Sequence, residues 1–268
     1  MPRARRHYIP GYVWHITHRC HKKEFLLKFA RDRQRWIYWL FEAKKRFGLC
    51  VLNYMVTSNH IHLLVIDDGT DAVISKSMQL VAGRTAQEYN QRKKRKGAFW
   101  EDRYHATAIE RDEHLFRCLV YIDMNMVRTG VVSHPSEWKF CGFNEIQNPK
   151  QRYVLINNSR LMELLNISLI DELKDTHKHW VEETLRIDRH VRESKWSQSV
   201  AVGSKEFVEI TKNKLSSRVK GRSIIRSDED YCIREQQASY TTDFANENAV
   251  LSDDNTYLWN FFDVNSNR

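Results

Sequence analysis

The chain has 268 residues, of which 41% are hydrophobic, enough apolar material for one or two packed domains, which excludes a largely disordered chain. No apolar run approaches the roughly 18 residues of a membrane span, and the basic start runs into Tyr8, Ile9, Pro10 and Gly11 instead of a signal core, so a cytoplasmic protein is expected. The formal charge of +9 is uneven: residues 226–268 hold nine acids against three bases, a net −6 that leaves +15 on the first 225 residues, which points to a polyanion partner more than to simple solubility charge.

In chain order, Tyr12 to His18 alternate and are rich in β-formers, which predicts a strand after the Pro10-Gly11 turn. Trp36, Leu40, Ala43 and Phe47 form a helical stripe that begins near Asp32 and stops at Gly48, a helix of about four turns. Residues 50–57 and 61–66 read as a hairpin joined by Ser58-Asn59-His60. Ile74, Met78, Val81, Thr85 and Tyr89 mark a second helix over about 73–92, residues 104–109 a fourth strand, and 113–125 a third helix. The order β-α-β-β-α-β-α predicts an α+β fold, a ferredoxin-like split β-α-β sheet with one added helix.

Three regions follow from these patterns. Residues 1–145 form the ferredoxin-like domain and 146–225 a basic helical C-terminal region, with helices expected at 158–173, 175–192 and 204–220. Residues 226–268 lack sustained periodicity and read as an acidic, disordered tail. Cys20, Cys50, Cys118, Cys141 and Cys232 are odd in number, far apart and never spaced as CxxC, so they read as free, mainly buried thiols.

Two constellations carry chemistry. His60-Ile61-His62 opens a strand, where side chains two apart share a face, so both imidazoles can reach one metal ion; two polar residues at a strand entrance is the plain alternative. On the third helix, Leu115, Leu119, Ile122 and Met126 form the apolar arc, and Tyr121 and Asn125 stand one turn apart at its edge. Two histidines and an amide oxygen suit a hard divalent ion that polarises a phosphate. Eleven tyrosines are present, and position alone does not choose among them; Tyr104 is the rival to Tyr121.

Met55-Val56-Thr57-Ser58-Asn59-His60-Ile61-His62-Leu63-Leu64-Val65 resembles the His-hydrophobic-His segment of the single-tyrosine HUH transposases, most closely their REP-associated tyrosine transposase branch. Pro2 to Arg6 with Trp14-His15-Ile16-Thr17, then Tyr89-Asn90 through Phe99-Trp100 and Arg103-Tyr104, then Tyr121 to Gly130, resemble further segments of that branch in the same order. Ser58 and Met126 replace prolines usual in the branch, which loosens two turns without touching a ligand or the nucleophile.

The resemblance implies Tyr121 as catalytic nucleophile and His60, His62 and Asn125 as ligands of Mg²⁺ or Mn²⁺. It also implies cleavage and rejoining of single-stranded DNA beside REP-like hairpins through a 5′-phosphotyrosine. Phosphate and base contacts would come from Arg3, Arg5, Arg6, Arg84, Arg92, Lys93, Lys94, Arg95, Arg103, Tyr104 and Arg128. A cytoplasmic, nucleoid-associated bacterial enzyme is expected, a monomer more than a homodimer. A hairpin-binding regulatory protein that does not cleave, and a phosphodiesterase in which water attacks, are the competing readings.

Overall fold

The computed structural model describes residues 8–66, 72–187, 192–219, 221–227 and 230–235. They lie in a unit spanning Met1–Gln236; the second unit, Gln237–Arg268, which holds most of the expected acidic tail, lies outside the described residues.

The first half follows the expected order: β1 (Val13–Arg19), α1 (Ala30–Phe47), β2 (Cys50–Val56), β3 (His60–Ile66), α2 (Val73–Arg92) and β4 (His105–Ile109). The strands lie side by side as β2-β3-β1-β4, each pair antiparallel, which is the split β-α-β topology. Gly48 ends α1 with φ +73°, its N–H bonded to the Lys44 carbonyl at 2.9 Å, a left-handed stop that a Cβ would strain. Both faces of the sheet are covered, because β2 is buried at every position and β3 at all but His60. Ile61, Leu63 and Val65 are fully buried on one face of β3, and the alternation turns His60 and His62 to the other. The five cysteines are free and buried, as their spacing implies.

The third helix departs from expectation. It breaks at Met124 into α3 (Glu113–Asp123) and a single turn, α4 (Asn125–Arg128). Arg128 Nη2 reaches back across the break to the Tyr121 carbonyl at 2.8 Å, so a side chain serves a carbonyl that an unbroken helix would satisfy with backbone. A buried polar chain pins the end of α3. Asn53 Nδ2 donates to Asp123 Oδ1 at 3.0 Å and His177 Nε2 lies 2.8 Å from Asp123 Oδ2, joining α3 to β2 and to α7 (Ile170–Arg186). The register of β2 against β3 slips by one between Val51 and Asn53, a bulge immediately before the asparagine that makes this contact.

The C-terminal region is only partly helical, which corrects the reading of residues 146–225. After α5 (Phe143–Gln147), α6 (Asn158–Leu164), α7 and the short α8 (Lys195–Gln198) come β5 (Ala201–Gly203), α9 (Lys205–Leu215), β6 (Arg222–Ser227) and β7 (Asp230–Glu235). These strands lengthen the sheet to β2-β3-β1-β4-β5-β7-β6, β5 parallel to β4 and β7 antiparallel to both β5 and β6. Three residues of β5 are too few to show a period, and the charge count set the tail boundary at 226, inside β6. Residues 230–235 are therefore a strand of the sheet and not part of a disordered tail. Asp230 is fully buried, ion-paired to Lys195 Nζ at 2.8 Å and Arg117 Nη2 at 2.5 Å, and lies 3.0 Å from His114 Nε2, which ties β7 to α8 and α3.

Candidate active site

A cleft of about 500 Å³ opens over the histidine-bearing face. His60 and His62 come from β3, Thr17 and Arg19 from the neighbouring β1, Tyr121 from α3, Asn125 and Arg128 from α4, and Ser197 and Gln198 from α8. In register, Thr17 stands opposite His62 and Arg19 opposite His60, so the histidine pair and its basic neighbour are fixed by one ladder.

Hydrogen bonds fix which imidazole nitrogens carry protons. The Trp196 carbonyl can only accept, so His15 Nδ1, 2.7 Å away, is the protonated nitrogen and its Nε2 is bare. That bare nitrogen accepts from His62 Nδ1 at 2.9 Å, which leaves His62 Nε2 bare in turn, accepting from Asn125 Nδ2 at 2.9 Å. Around His60, Asn59 Nδ2 donates to the Lys23 carbonyl and thereby aims its Oδ1 at His60 Nδ1, 2.7 Å away; this nitrogen donates and Nε2 is the lone-pair side. Burial, above all, holds His15 and His60 down to about 3 and His62 well below its ordinary value, with the charge of Arg128 adding to the effect at each, so the three rings are neutral at physiological pH.

The donor set fits a divalent cation. Two imidazole nitrogens present lone pairs, and Asn125 Oδ1 is buried with no hydrogen-bond partner, so a half turn of the amide supplies an oxygen donor without breaking any bond of that oxygen. Among the described residues no group of three His, Cys, Asp or Glu side chains is arranged to hold a metal; this set is two imidazoles and an amide.

Tyr121 is 5% exposed yet lines the cleft, about 6 Å centroid to centroid from the rings of both His62 and Trp196. The Arg128 guanidinium lies 4.1 Å above its ring. Burial raises the phenol's pKa, and the charges of Arg128 and Arg192 oppose the rise. Four arginines (Arg19, Arg103, Arg128, Arg192) against Glu101 and Asp102 make the wall net positive, which suits a phosphodiester chain.

His60, His62, Tyr121, Asn125, Arg103 and Arg128 thus meet at one cleft. Arg84, Arg92, Lys93, Lys94 and Arg95 do not line it: Arg92 is paired to Asp32, Arg95 to Glu24, and Arg84 and Lys93 lie over the rings of Trp39 and Phe29. Tyr104 is also outside the lining, its hydroxyl 2.9 Å from that of Tyr8. Arg3, Arg5 and Arg6 lie outside the described residues. Sequence reasoning passed over Arg19, Arg192, Ser197, Gln198 and the roles of His15 and Trp196. His15, Thr17 and Arg19 were open to it, since strand alternation sets them on one face; the others carry no motif.

Residues 9–125 match the family model described as "Transposase IS200 like". Over these residues the chain is similar to the IS200-like transposases. Among solved structures, a REP-associated tyrosine transposase bound to a REP hairpin is similar at 22% identity over 54% of this chain and 84% of its own, with a TM-score of 0.45. A putative transposase from Deinococcus radiodurans is similar at 16% identity over 39% and 84%, with a TM-score of 0.30. No curated protein matches the chain. Among the described residues no helix is long and apolar enough to cross a membrane.

Proposed function

We propose that this domain cleaves and rejoins single-stranded DNA beside a hairpin, through a phosphotyrosine on Tyr121, as in the REP-associated branch whose motifs it resembles. The observation that carries the reading is the convergence on one basic cleft of a tyrosine, two imidazoles with bare Nε2 atoms and an amide with an orphaned oxygen. All come from one chain, which supports a monomer that completes its own site.

His60, His62 and Asn125 would hold Mg²⁺ or Mn²⁺, which when bound polarises the scissile phosphate. Tyr121 is protonated at neutral pH, so its Oη sheds a proton to solvent as it bonds to phosphorus. The P–O bond to the 3′ oxygen breaks, that oxygen takes up a proton, and a 5′-phosphotyrosine and a free 3′-hydroxyl remain. Arg128, stacked on the ring and bonded to the Tyr121 carbonyl, holds the phenol in place and stabilises the negative charge that its oxygen develops. Reversal by a DNA 3′-hydroxyl rejoins strands without ATP, because the phosphodiester energy is kept in the phosphotyrosine.

The test incubates purified protein with labelled single-stranded hairpin DNA from repeats flanking its gene, with Mg²⁺ or Mn²⁺, and seeks a covalent adduct on a denaturing gel. The adduct is expected in wild type and Tyr104→Phe and lost in Tyr121→Phe and His60→Ala. Hairpin binding with no adduct under either metal identifies a non-cleaving binder, and cleavage without adduct that survives Tyr121→Phe identifies attack by water.

A further inference from the structure

His15 is fully buried in the middle of β1 and does not line the cleft, yet both its ring nitrogens are used. A buried imidazole is costly unless both nitrogens are paired, and a leucine would fill this core position more simply. The pairing here is directional. The Trp196 carbonyl admits only one proton arrangement along Trp196, His15 and His62, at 2.7 and 2.9 Å, and it leaves His62 Nε2 without a proton, accepting from Asn125 Nδ2 at 2.9 Å, in a residue that lines the cleft. The two imidazole rings lie 13° from parallel with centroids 5.1 Å apart, so the nitrogens stay in line without either ring turning.

We propose that His15 is a positioning residue. Anchored by the carbonyl of Trp196, it keeps His62 in the Nδ1-protonated tautomer and so presents Nε2 of His62 as the donor to a divalent cation. This rests on the metal-site reading above and deepens it. A neutral histidine without such a partner favours the Nε2–H form in water, which would place a proton where the cation must bind. A second consequence follows from topology: the carbonyl that sets the tautomer belongs to α8, beyond the residues 9–125 that match the family model, so the strap of residues 192–198, which lends Arg192, Ser197 and Gln198 to the cleft, takes part in making the ligand.

The experiment has two readouts on the full-length protein. Long-range ¹H–¹⁵N spectra of the metal-free wild type report imidazole tautomers directly, and His15 and His62 are both expected as Nδ1–H. Titration with Mn²⁺, followed by the paramagnetic resonance of the free ion, gives affinity without reference to cleavage. His15→Leu is expected to populate the Nε2–H form of His62 and to weaken Mn²⁺ binding by about 10- to 100-fold. His15→Gln keeps an acceptor for His62 Nδ1–H and is expected to hold affinity within a few-fold of wild type. Nε2–H at His62 in the wild type overturns the proposal even if neither variant folds, and so does His15→Leu with wild-type tautomer and affinity. Wild type binding Mn²⁺ no better than His60→Ala would instead remove the metal-site reading, and the tautomer spectra would then decide the part of His15 alone.

Discussion

The two walls of the cleft differ in how they are built. The wall of β1, β3, α3 and α4 carries the groups that can do chemistry: a strand period of two sets His60 and His62 on one face, and Tyr121 ends α3 while Asn125 opens α4 just past the break at Met124. The wall of residues 192–198 carries no chemical group of that kind. It supplies Arg192, Ser197 and Gln198 to the cleft, a carbonyl to His15 and an indole beside Tyr121, and long-range contacts alone hold it there. Lys195 pairs with buried Asp230, and Arg234 of β7 donates to Ser194 and Ser199 at 2.9 and 2.8 Å. In the proposed reaction one wall would supply the reacting groups, and the other the environment around them.

The sharpest way to break that contrast is to remove one group from each wall. Tyr121→Phe keeps the buried ring and its Arg128 stacking, so adduct formation is expected to fall roughly 10³-fold or more while hairpin affinity and thermal stability stay near wild type. Trp196→Leu is expected to slow adduct formation without abolishing it. Equal losses in the two variants, measured by single-turnover adduct formation, would erase the division between the walls.

Stability should show the reverse ordering. Asp230→Asn leaves Lys195 and Arg117 without their buried counter-charge, and a loss of about 3 kcal/mol is expected in urea unfolding. Burial pushes the Asp230 carboxyl up, but hydrogen bonds from His114 and Lys195 outweigh it and hold the group below the ordinary carboxylate range. A depressed folded pKa contributes stability that is present above the unfolded value and lost as pH falls below it. The wild type should therefore lose stability between about pH 5 and pH 3 more steeply than Asp230→Asn, as unfolding midpoints across that range would record. Parallel slopes would show that the Asp230 cluster does not clamp the strap.

The same contrast explains what was legible in advance. The split β-α-β order, the helix stop at Gly48 and the shared face of His60 and His62 are consequences of short-range periodicity, and the sequence displays them; that Tyr121 and Asn125 join them was implied by the family resemblance. The break at Met124 was not legible, because it comes with the Arg128 side chain serving the Tyr121 carbonyl. Strands β5, β6 and β7 were missed for two reasons. A three-residue strand has no period, and a boundary drawn by charge cut through a hairpin whose acidic Asp230 is a buried structural ion. The basic run at 92–95 illustrates the converse: abundant charge drew attention to it, whereas Asp32 and Glu24 already pair with Arg92 and Arg95 away from the cleft.

Arg192 tests the smallest of these effects. It is exposed, lines the cleft and lowers the proton affinity of His60, His62 and Tyr121 through its charge. If it meets a DNA phosphate, Arg192→Ala should weaken hairpin binding about equally for all sequences and reduce the slope of log affinity against log salt by about 1. Arg84→Ala, on a side chain outside the cleft and lying over Trp39, should leave that slope unchanged. Fluorescence anisotropy over a salt series separates the two. A slope lowered by Arg84→Ala and not by Arg192→Ala would move the DNA path off the strap and onto the helices, and the second wall would then act only through Trp196.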